Sequence, residues 1–244
     1  MTRLSVNVNK VATVRNARGG TIPDVLKAAL NCEKYGADGI TVHPRPDERH
    51  IKYQDVRELG EALSKEFNIE GYPSRTFLDL VKSVRPTQVT LVPDPPDALT
   101  SSAGWDTLRE KGLLKEVAQE LRPIGIRLSL FIETEQRMIE EAAQTGTDRV
   151  ELYTEPYAIK VLEDSKEATA PFEEASEIAH SNGLGVNAGH DLDMMNLGRF
   201  VESVPHLKEV SIGHALIADA LYYGLENTIG LYKREIQKAQ REKE

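Results

Sequence analysis

The chain has 244 residues, of which 40% are hydrophobic and 28% are charged, as is ordinary for a folded globular protein with a large core. Its formal net charge of −9 disfavours nucleic acids and anionic membranes as partners, so any bound anion requires a local cluster of donors. The single cysteine excludes an intrachain disulfide, and the sequence contains neither a signal-peptide core nor a bilayer-spanning apolar run, so we expect a cytoplasmic protein.

Short apolar runs that end in polar residues alternate with segments of helical periodicity along the chain. The predicted strands are 4–9, 39–44, 67–73, 88–94, 127–133, 149–155, 185–190 and 209–214. The predicted helices are 22–36, 53–65, 74–84, 107–122, 135–145, 171–182, 192–203 and a last one from 215 to about 240. Two long connections, 93–105 and 156–171, follow predicted strands and are candidate lids over a site.

Eight strands alternating with eight helices predict an α/β fold, a single-domain (β/α)8 TIM barrel over residues 1–244. The rival fold is an open doubly wound sheet, which normally carries a G-x-G-x-x-G turn after its first strand. The corresponding stretch reads NVNKVATVRNARGG, which does not match such a turn. The barrel is therefore the expected fold.

Polar and titratable residues collect at the carboxyl ends of the predicted strands, where barrel enzymes assemble their active sites. They are Asn7, Asn9, Lys10, His43, Arg45, His50, Glu70, Asp94, Thr100, Glu151, Thr154, Asn187, Gly189, His190, Asp191, Gly213 and His214. Four of the six histidines belong to this set, although the chain as a whole is acidic. Titratable side chains around one shared cavity are what general acid–base catalysis requires, so we predict an enzyme.

Several residues also have a purely structural interpretation. His214 alone could be a hydrogen-bonded spacer, and Arg18 could be an exposed loop charge. Glu70 lies within an apolar strand, so it requires either a raised pKa that serves catalysis or an ion pair with an arginine, and the sequence leaves both open. Glu151 and Asn187 could fill layers of the barrel interior.

Two stretches predict anion binding. Gly213 precedes the last predicted helix, and the N–H groups at such a helix start attract phosphate beside strands seven and eight of many barrels. Arg45 and His50 form a second basic group, so the reactants are either one doubly phosphorylated molecule or two phosphorylated molecules. The chain has no H-x-H or H-E-x-x-H pattern, and a zinc site built from strand-end histidines is the weaker alternative.

A series of motifs runs from the first strand to the last helix: ATVRNARGG, GITVH followed by RHI, NIE, LVP, SLFIE, VNAGH and IGHA. In this order they resemble the pyridoxine 5′-phosphate synthase family. The resemblance implies a barrel with extra helices, assembled as a homo-oligomer that is an octamer in the family. It also implies condensation of 3-amino-2-oxopropyl phosphate with 1-deoxy-D-xylulose 5-phosphate to pyridoxine 5′-phosphate, phosphate and water, with no metal or organic cofactor.

The resemblance also implies roles for individual residues. His43 and Glu70 would act as general bases and His190 as general acid, while Glu151 would orient or activate water. The residues that would bind the amino ketone phosphate are Asn7, Arg18, Asp191, Gly213 and His214. Those that would bind the deoxyxylulose phosphate are Asn9, Lys10, Arg45, His50 and Thr100.

Three positions depart from the family pattern. Many members have Asp-His where this chain has Asn9 and Lys10, and Gly where it has Asp191. Asn9 cannot accept a proton as an aspartate does, whereas Lys10 can hold a phosphate or form a Schiff base with the ketose, which is a rival mechanism. The other functions left open are an aldolase or isomerase that acts on one phosphorylated sugar, and a phosphate-binding sensor or structural barrel without catalysis.

Overall fold

Eight parallel strands close into a barrel in the computed structural model, which describes residues 1–94 and 103–242. The strands follow one another around the barrel in chain order, and β8 pairs with β1 to close it, with Leu4 opposite Val210. They are β1 Arg3–Asn7, β2 Gly39–Val42, β3 Glu66–Gly71, β4 Gln88–Leu91, β5 Arg127–Ile132, β6 Arg149–Tyr153, β7 Gly185–Gly189 and β8 Leu207–Ile212. The prediction of a (β/α)8 barrel is confirmed.

Helices follow the strands and surround the barrel. In the described residues they are α1 Asn9–Asn16, α2 Val25–Lys34, α3 Tyr53–Ala62, α4 Arg75–Val84, α5 Lys111–Leu121, α6 Gln136–Ala143, α7 Glu155–Lys160, α8 Ser165–Ser181, α9 Leu197–Ser203, α10 His214–Tyr223 and α11 Leu225–Arg241. None of these helices combines the length and the apolar character needed to cross a membrane.

The start of α4 shows how the sequence places such a helix. Ser74 precedes the helix as its N-cap, and its side chain accepts a hydrogen bond from the backbone N–H of Phe77 at 3.3 Å. Phe77, Leu80 and Val81 are buried on one face. A cap of this kind contributes about 1 kcal/mol, so most of the stability of α4 comes from its buried face.

The structure corrects both ends of the predicted element pattern. The first strand ends at Asn7, and the residues from Asn9 onward form α1, which the sequence analysis missed. Val11, Ala12 and Arg15 are buried, which is a helical spacing. The last predicted helix is divided at Gly224, whose φ of +76° suits glycine and ends α10 before α11 begins.

The long connection 156–171 is largely helical. It contains most of α7 and the start of α8, and Pro171 lies inside α8 instead of at its beginning. The side chain of Asp164 caps α8 by accepting hydrogen bonds from the backbone N–H groups of Lys166 and Glu167. This cap, and not the proline, sets where α8 begins.

The interior of the barrel is polar, so the apolar core lies between the strands and the helices. Outward-facing strand residues such as Leu4, Ile40, Val89 and Val150 belong to the main hydrophobic cluster. Inside, the hydroxyls of Ser5 and Thr41 share a hydrogen bond of 2.7 Å, and Thr90 donates to Asn68 at 3.1 Å and lies 3.4 Å from Glu151. Because β-strand side chains alternate between two faces, the apolar residues take the outer face and the polar residues the inner one.

Paired charges close the amino-terminal end of the barrel. Glu66 accepts hydrogen bonds from Arg3 and from Arg127, the latter at 2.6 Å, and Glu209 lies 3.6 Å from Arg3. Burial and the repulsion of Arg127 lower the pKa of Arg149 to about 10. Burial and the charge of Glu66 raise the pKa of Glu209 to about 7. The opposite end of the barrel is thus the end that is open to ligands.

Candidate active site

A cavity of about 380 Å³ opens at the carboxyl ends of the strands. Its lining includes most of the residues that the sequence analysis singled out: Asn7, Asn9, Lys10, His43, Arg45, His50, Glu70, Glu151, His190, Asp191, Gly213 and His214. Arg18 is not among the described residues that line the cavity, because it lies exposed in the turn after α1. Thr100 lies outside the described residues.

His43 and Glu70 lie side by side at the ends of β2 and β3. His43 Nδ1 is 3.6 Å from Glu70 Oε2, and both side chains are buried. The backbone of His43 is fixed because its N–H donates to Asn9 Oδ1 at 2.9 Å, and the N–H of Asn9 donates to Asn7 Oδ1 at 3.0 Å. The start of α1 therefore sets the position of His43.

Burial shifts the pKa values of this pair in opposite directions. It holds the pKa of His43 well below its ordinary value, and the positive charge of Arg45 adds to that effect. It raises the pKa of Glu70 well above its ordinary value, and the charge of Glu151 raises it further. The pair therefore places a neutral imidazole, a proton acceptor, beside a carboxyl that holds its proton more tightly than usual.

Arg45 forms its ion pair with Asp94 and not with Glu70. Arg45 Nη2 lies 2.8 Å from Asp94 Oδ2, and both side chains are buried. Within the described residues, Arg45 Nε is buried without a hydrogen-bond partner. Of the two interpretations left open for Glu70, the structure therefore does not favour the simple ion pair, and Arg45 keeps a donor for a bound anion.

His190 is held in an uncommon backbone conformation, with a φ of +90°. Thr154 holds the residues on either side of His190 in place. Its hydroxyl donates to the carbonyl of Gly189 at 2.5 Å and accepts from the N–H of Asp191 at 3.2 Å. The ring lies 4.6 Å from that of Phe131, and burial lowers the pKa of His190 to about 4. The fold thus maintains a strained histidine at the cavity, as occurs at functional sites.

Glu151 forms part of the cavity floor and continues into the polar barrel interior. Burial and the charge of Glu209 raise the pKa of Glu151 to about 8. Gly189 leaves room for it, since a Cβ at position 189 would lie 2.9 Å from Glu151 Oε1. Glu151 therefore keeps its proton to a higher pH than an ordinary glutamate does.

The helix start after β8 provides backbone donors at the cavity wall. Gly213 is the N-cap of α10 and lies against Asn7, so a Cβ at position 213 would be 3.1 Å from Asn7 Cβ. Asn7, Gly213 and His214 line this part of the cavity, and the N–H groups at a helix start, which have no partner within the helix, suit an anion.

Sequence reasoning missed three lining residues: Tyr153, Glu155 and Ser211. The hydroxyl of Tyr153 donates to Glu155 Oε2 at 2.5 Å. Tyr153 is two residues beyond Glu151, and Ser211 is two residues before Gly213. Because alternate residues of a strand face the same side, Tyr153 and Ser211 could have been predicted to face the cavity. Glu155 lies in the first turn of α7, a helix that was not predicted.

No group of three or more His, Cys, Asp or Glu side chains in the described part of the chain has an arrangement that could hold a metal ion. The strand-end histidines also differ in their surroundings, since His43 lies beside Glu70 whereas His190 packs on Phe131.

Comparisons with solved structures support the fold. The chain superposes on 3-keto-L-gulonate-6-phosphate decarboxylase from Vibrio cholerae with a TM-score of 0.69 at 10% identity, covering 97% of this chain and 98% of that one. It superposes on a mutant tryptophan synthase α-subunit from Pyrococcus furiosus with a TM-score of 0.63 at 16% identity, covering 98% of this chain and 100% of that one. At such low identities these similarities show the barrel alone.

Sequence comparisons go further. Pyridoxine 5′-phosphate synthase from Cytophaga hutchinsonii is 57% identical over 238 residues, which cover 98% of this chain and 100% of that protein. The enzyme of the same name from Parabacteroides distasonis is 60% identical over 233 residues, covering 96% of this chain and 98% of that protein. The family model described as pyridoxal phosphate biosynthesis protein PdxJ matches residues 4–238. The chain belongs to the PdxJ family of pyridoxal phosphate biosynthesis proteins.

Proposed function

We propose that the chain condenses 3-amino-2-oxopropyl phosphate with 1-deoxy-D-xylulose 5-phosphate to pyridoxine 5′-phosphate, phosphate and water. Relatives that are 57–60% identical over nearly the whole chain carry the name of this activity. One observation of the structure carries the proposal: a single cavity brings together His43, Glu70 and His190 with cationic side chains. Two phosphorylated reactants require such cations, and ring closure requires several proton transfers.

We assign the proton transfers to three side chains. The amine of one substrate attacks the ketone of the other to give an imine, after which protons leave carbon and nitrogen while hydroxide and phosphate depart. His43 is neutral and Glu70 is basic once deprotonated, so both can serve as general bases. His190 is the general acid, and the negative charge of two bound phosphates would raise its pKa from about 4 toward the working range.

We assign the two phosphates to two different groups of residues that include the cavity lining. The start of α10, with Asn7, Gly213 and His214, supports binding of the amino ketone phosphate, for which Arg18 and Asp191 are further candidates. The residues assigned to the deoxyxylulose phosphate are Asn9, Lys10, Arg45, His50 and Thr100. Holding both reactants together can supply roughly 7–11 kcal/mol of the barrier reduction, in addition to acid–base catalysis. Glu151 would orient water.

We also infer a cytoplasmic homo-oligomer, an octamer by resemblance to the family. The apolar surface of α10 supports self-association, because Leu221 and Tyr222 are 80% and 85% exposed and Tyr223 is 55% exposed. Adjacent exposed apolar side chains of this size mark an interaction surface more often than scattered ones do.

The decisive experiment mixes both phosphorylated substrates with the purified protein and follows the absorbance of the pyridine product together with released phosphate. Product formation that depends on both substrates supports the proposal, with His43→Ala as the inactive control. Conversion of the ketose phosphate without any amine would instead identify an aldolase or isomerase. Binding of both substrates without conversion would identify a sensor.

A further inference from the structure

Helix α1 connects the cavity with the segment that carries His50. Its first two residues, Asn9 and Lys10, line the cavity. Its later residues Arg15 and Asn16 do not line it, and their side chains instead contact residues 48–55. These two residues have no role in the proposed chemistry.

The side-chain amide of Asn16 holds the backbone on both sides of His50. Its Nδ2 donates to the carbonyl of His50 at 2.7 Å and to that of Arg49 at 3.0 Å, and the carbonyl of Glu48 lies at 3.4 Å. Its Oδ1 accepts from Arg15 Nε at 3.0 Å. The amide of Asn16 therefore binds consecutive backbone carbonyl groups, and the hydrogen bond from Arg15 orients this amide.

Arg15 fixes the same segment through a buried ion pair. Its guanidinium donates to both carboxylate oxygens of Asp55, at 2.6 and 2.9 Å, and to the carbonyl of His50 at 3.1 Å. Asp55 in turn accepts from the backbone N–H of Lys52 at 2.7 Å. Arg15 and Asp55 are both buried, so solvent does not compete for these hydrogen bonds.

The fixed backbone determines which nitrogen of His50 can donate. The backbone N–H of Ile51 donates to His50 Nδ1 at 3.0 Å, so Nδ1 is an acceptor and the proton of the neutral ring is on Nε2. Burial and the charge of Arg45 lower the pKa of His50 to about 4, which favours this neutral form. His50 lines the cavity together with Lys10 and Arg45.

We propose that Arg15 and Asn16 are positioning residues that fix the backbone around His50, so that its Nε2–H donates to an anionic or hydroxyl oxygen of the ketose phosphate. The inference rests on the proposed function, which supplies the substrate. Its physical basis is that a donor held in place in advance costs little ordering entropy when the substrate binds.

Asn16→Asp tests this inference with almost no change in size. The aspartate keeps an acceptor for Arg15 but presents an oxygen to the carbonyls of Arg49 and His50. We expect the KM for the ketose phosphate to rise at least about tenfold, with little change in kcat or in the KM for the amino ketone phosphate. Asn182→Asp is the matched control, because Asn182 Nδ2 also donates to a backbone carbonyl, that of Ile178, but Asn182 does not line the cavity.

A double-mutant cycle separates positioning from general destabilisation. In a His50→Ala background, Asn16→Asp should raise the KM for the ketose phosphate no further, because the group that it positions is gone. An equal increase in both backgrounds, or an unchanged KM in the single variant, would overturn the inference. If Asn16→Asp does not fold, Arg15→Lys should raise the same KM selectively, because lysine cannot reproduce the forked contact to Asp55 and His50.

The wild-type assay keeps this inference distinct from the proposed function. If the wild-type protein forms no pyridine product, the proposed function fails first. If the wild-type protein is active and the selective KM effect is absent, only the positioning role fails.

Discussion

Replacing Glu151 with glutamine should stabilise the protein at neutral pH. Burial and the charge of Glu209 raise the pKa of Glu151 from the ordinary 4.5 to about 8, so the folded state binds a proton that the unfolded state has lost. The raised pKa leaves the free energy of unfolding undiminished below pH 4.5, the pKa of the group in the unfolded chain. The free energy of unfolding then falls as the pH rises from 4.5 to about 8, the pKa in the folded protein. Glutamine resembles the protonated carboxyl in shape and can also donate to Thr90, but it does not titrate.

The pKa values set the size of the effect. Between pH 4.5 and 8, each pH unit lowers the free energy of unfolding of the wild-type protein by about 1.4 kcal/mol relative to that of the variant. At pH 7 the accumulated difference is about 3 kcal/mol, and above pH 8 it levels off near 5 kcal/mol. Below pH 4.5 the two proteins should be equally stable.

Urea titrations of both proteins at pH 5, 7 and 9, at one protein concentration, measure this difference in the free energy of unfolding. Glu116→Gln is the control, because Glu116 is exposed on α5 and such changes usually stay within about 0.5 kcal/mol. A Glu151→Gln variant that is less stable than the wild type at pH 7 would refute the reasoning. A difference that does not depend on pH would show that Glu151 is charged in the folded protein.

Three further predictions concern activity and assembly. His43→Ala should lower the rate of pyridoxine 5′-phosphate formation about 10²–10⁴-fold, measured by product absorbance, and a fully active variant would exclude His43 as a base. Lys10→Arg should keep measurable turnover, because arginine also binds phosphate; complete loss, together with borohydride trapping of the ketose on Lys10, would support the Schiff-base mechanism instead. Tyr222→Asp places a charge on the exposed face of α10 and should reduce the sedimentation coefficient, whereas an unchanged value would show that α10 takes no part in assembly.

The positions of the strands could be predicted from the alternation of apolar and polar residues. Apolar residues such as Ile40 and Val150 alternate with polar ones such as Thr41 and Glu151, and this alternation placed the strands and their polar ends. The cavity residues at those ends, including His43 and Glu70, were therefore identifiable as a set before any coordinates.

The remaining errors have local physical causes. Apolar and polar residues alternate through Val6, Asn7 and Val8, which indicated a strand as far as residue 9. The helix α1 in fact begins at Asn9, so the predicted strand was too long and α1 was missed. The predicted helix began at residue 171, but the cap at Asp164 begins α8 six residues earlier, at Ser165. Glu155 could not be found from strand alternation, because it reaches the cavity from α7.

The polar interior of the barrel explains why several carboxyl groups at and below the site have raised pKa values. Most barrels fill their interior with apolar layers, whereas here most apolar residues lie outside the strands and the interior is rich in hydroxyls, amides and carboxyls, with a small apolar cluster of Val92, Phe131 and Tyr153. Buried polar groups are tolerated only when they are hydrogen-bonded, and Thr90 satisfies this condition between Asn68 and Glu151. Buried carboxyls repel one another, so Glu209 raises the pKa of Glu151, and Glu151 raises that of Glu70. The basicity of Glu70 at the cavity thus depends on charges deeper in the barrel, and a change at Glu209 should alter catalysis without touching the substrate.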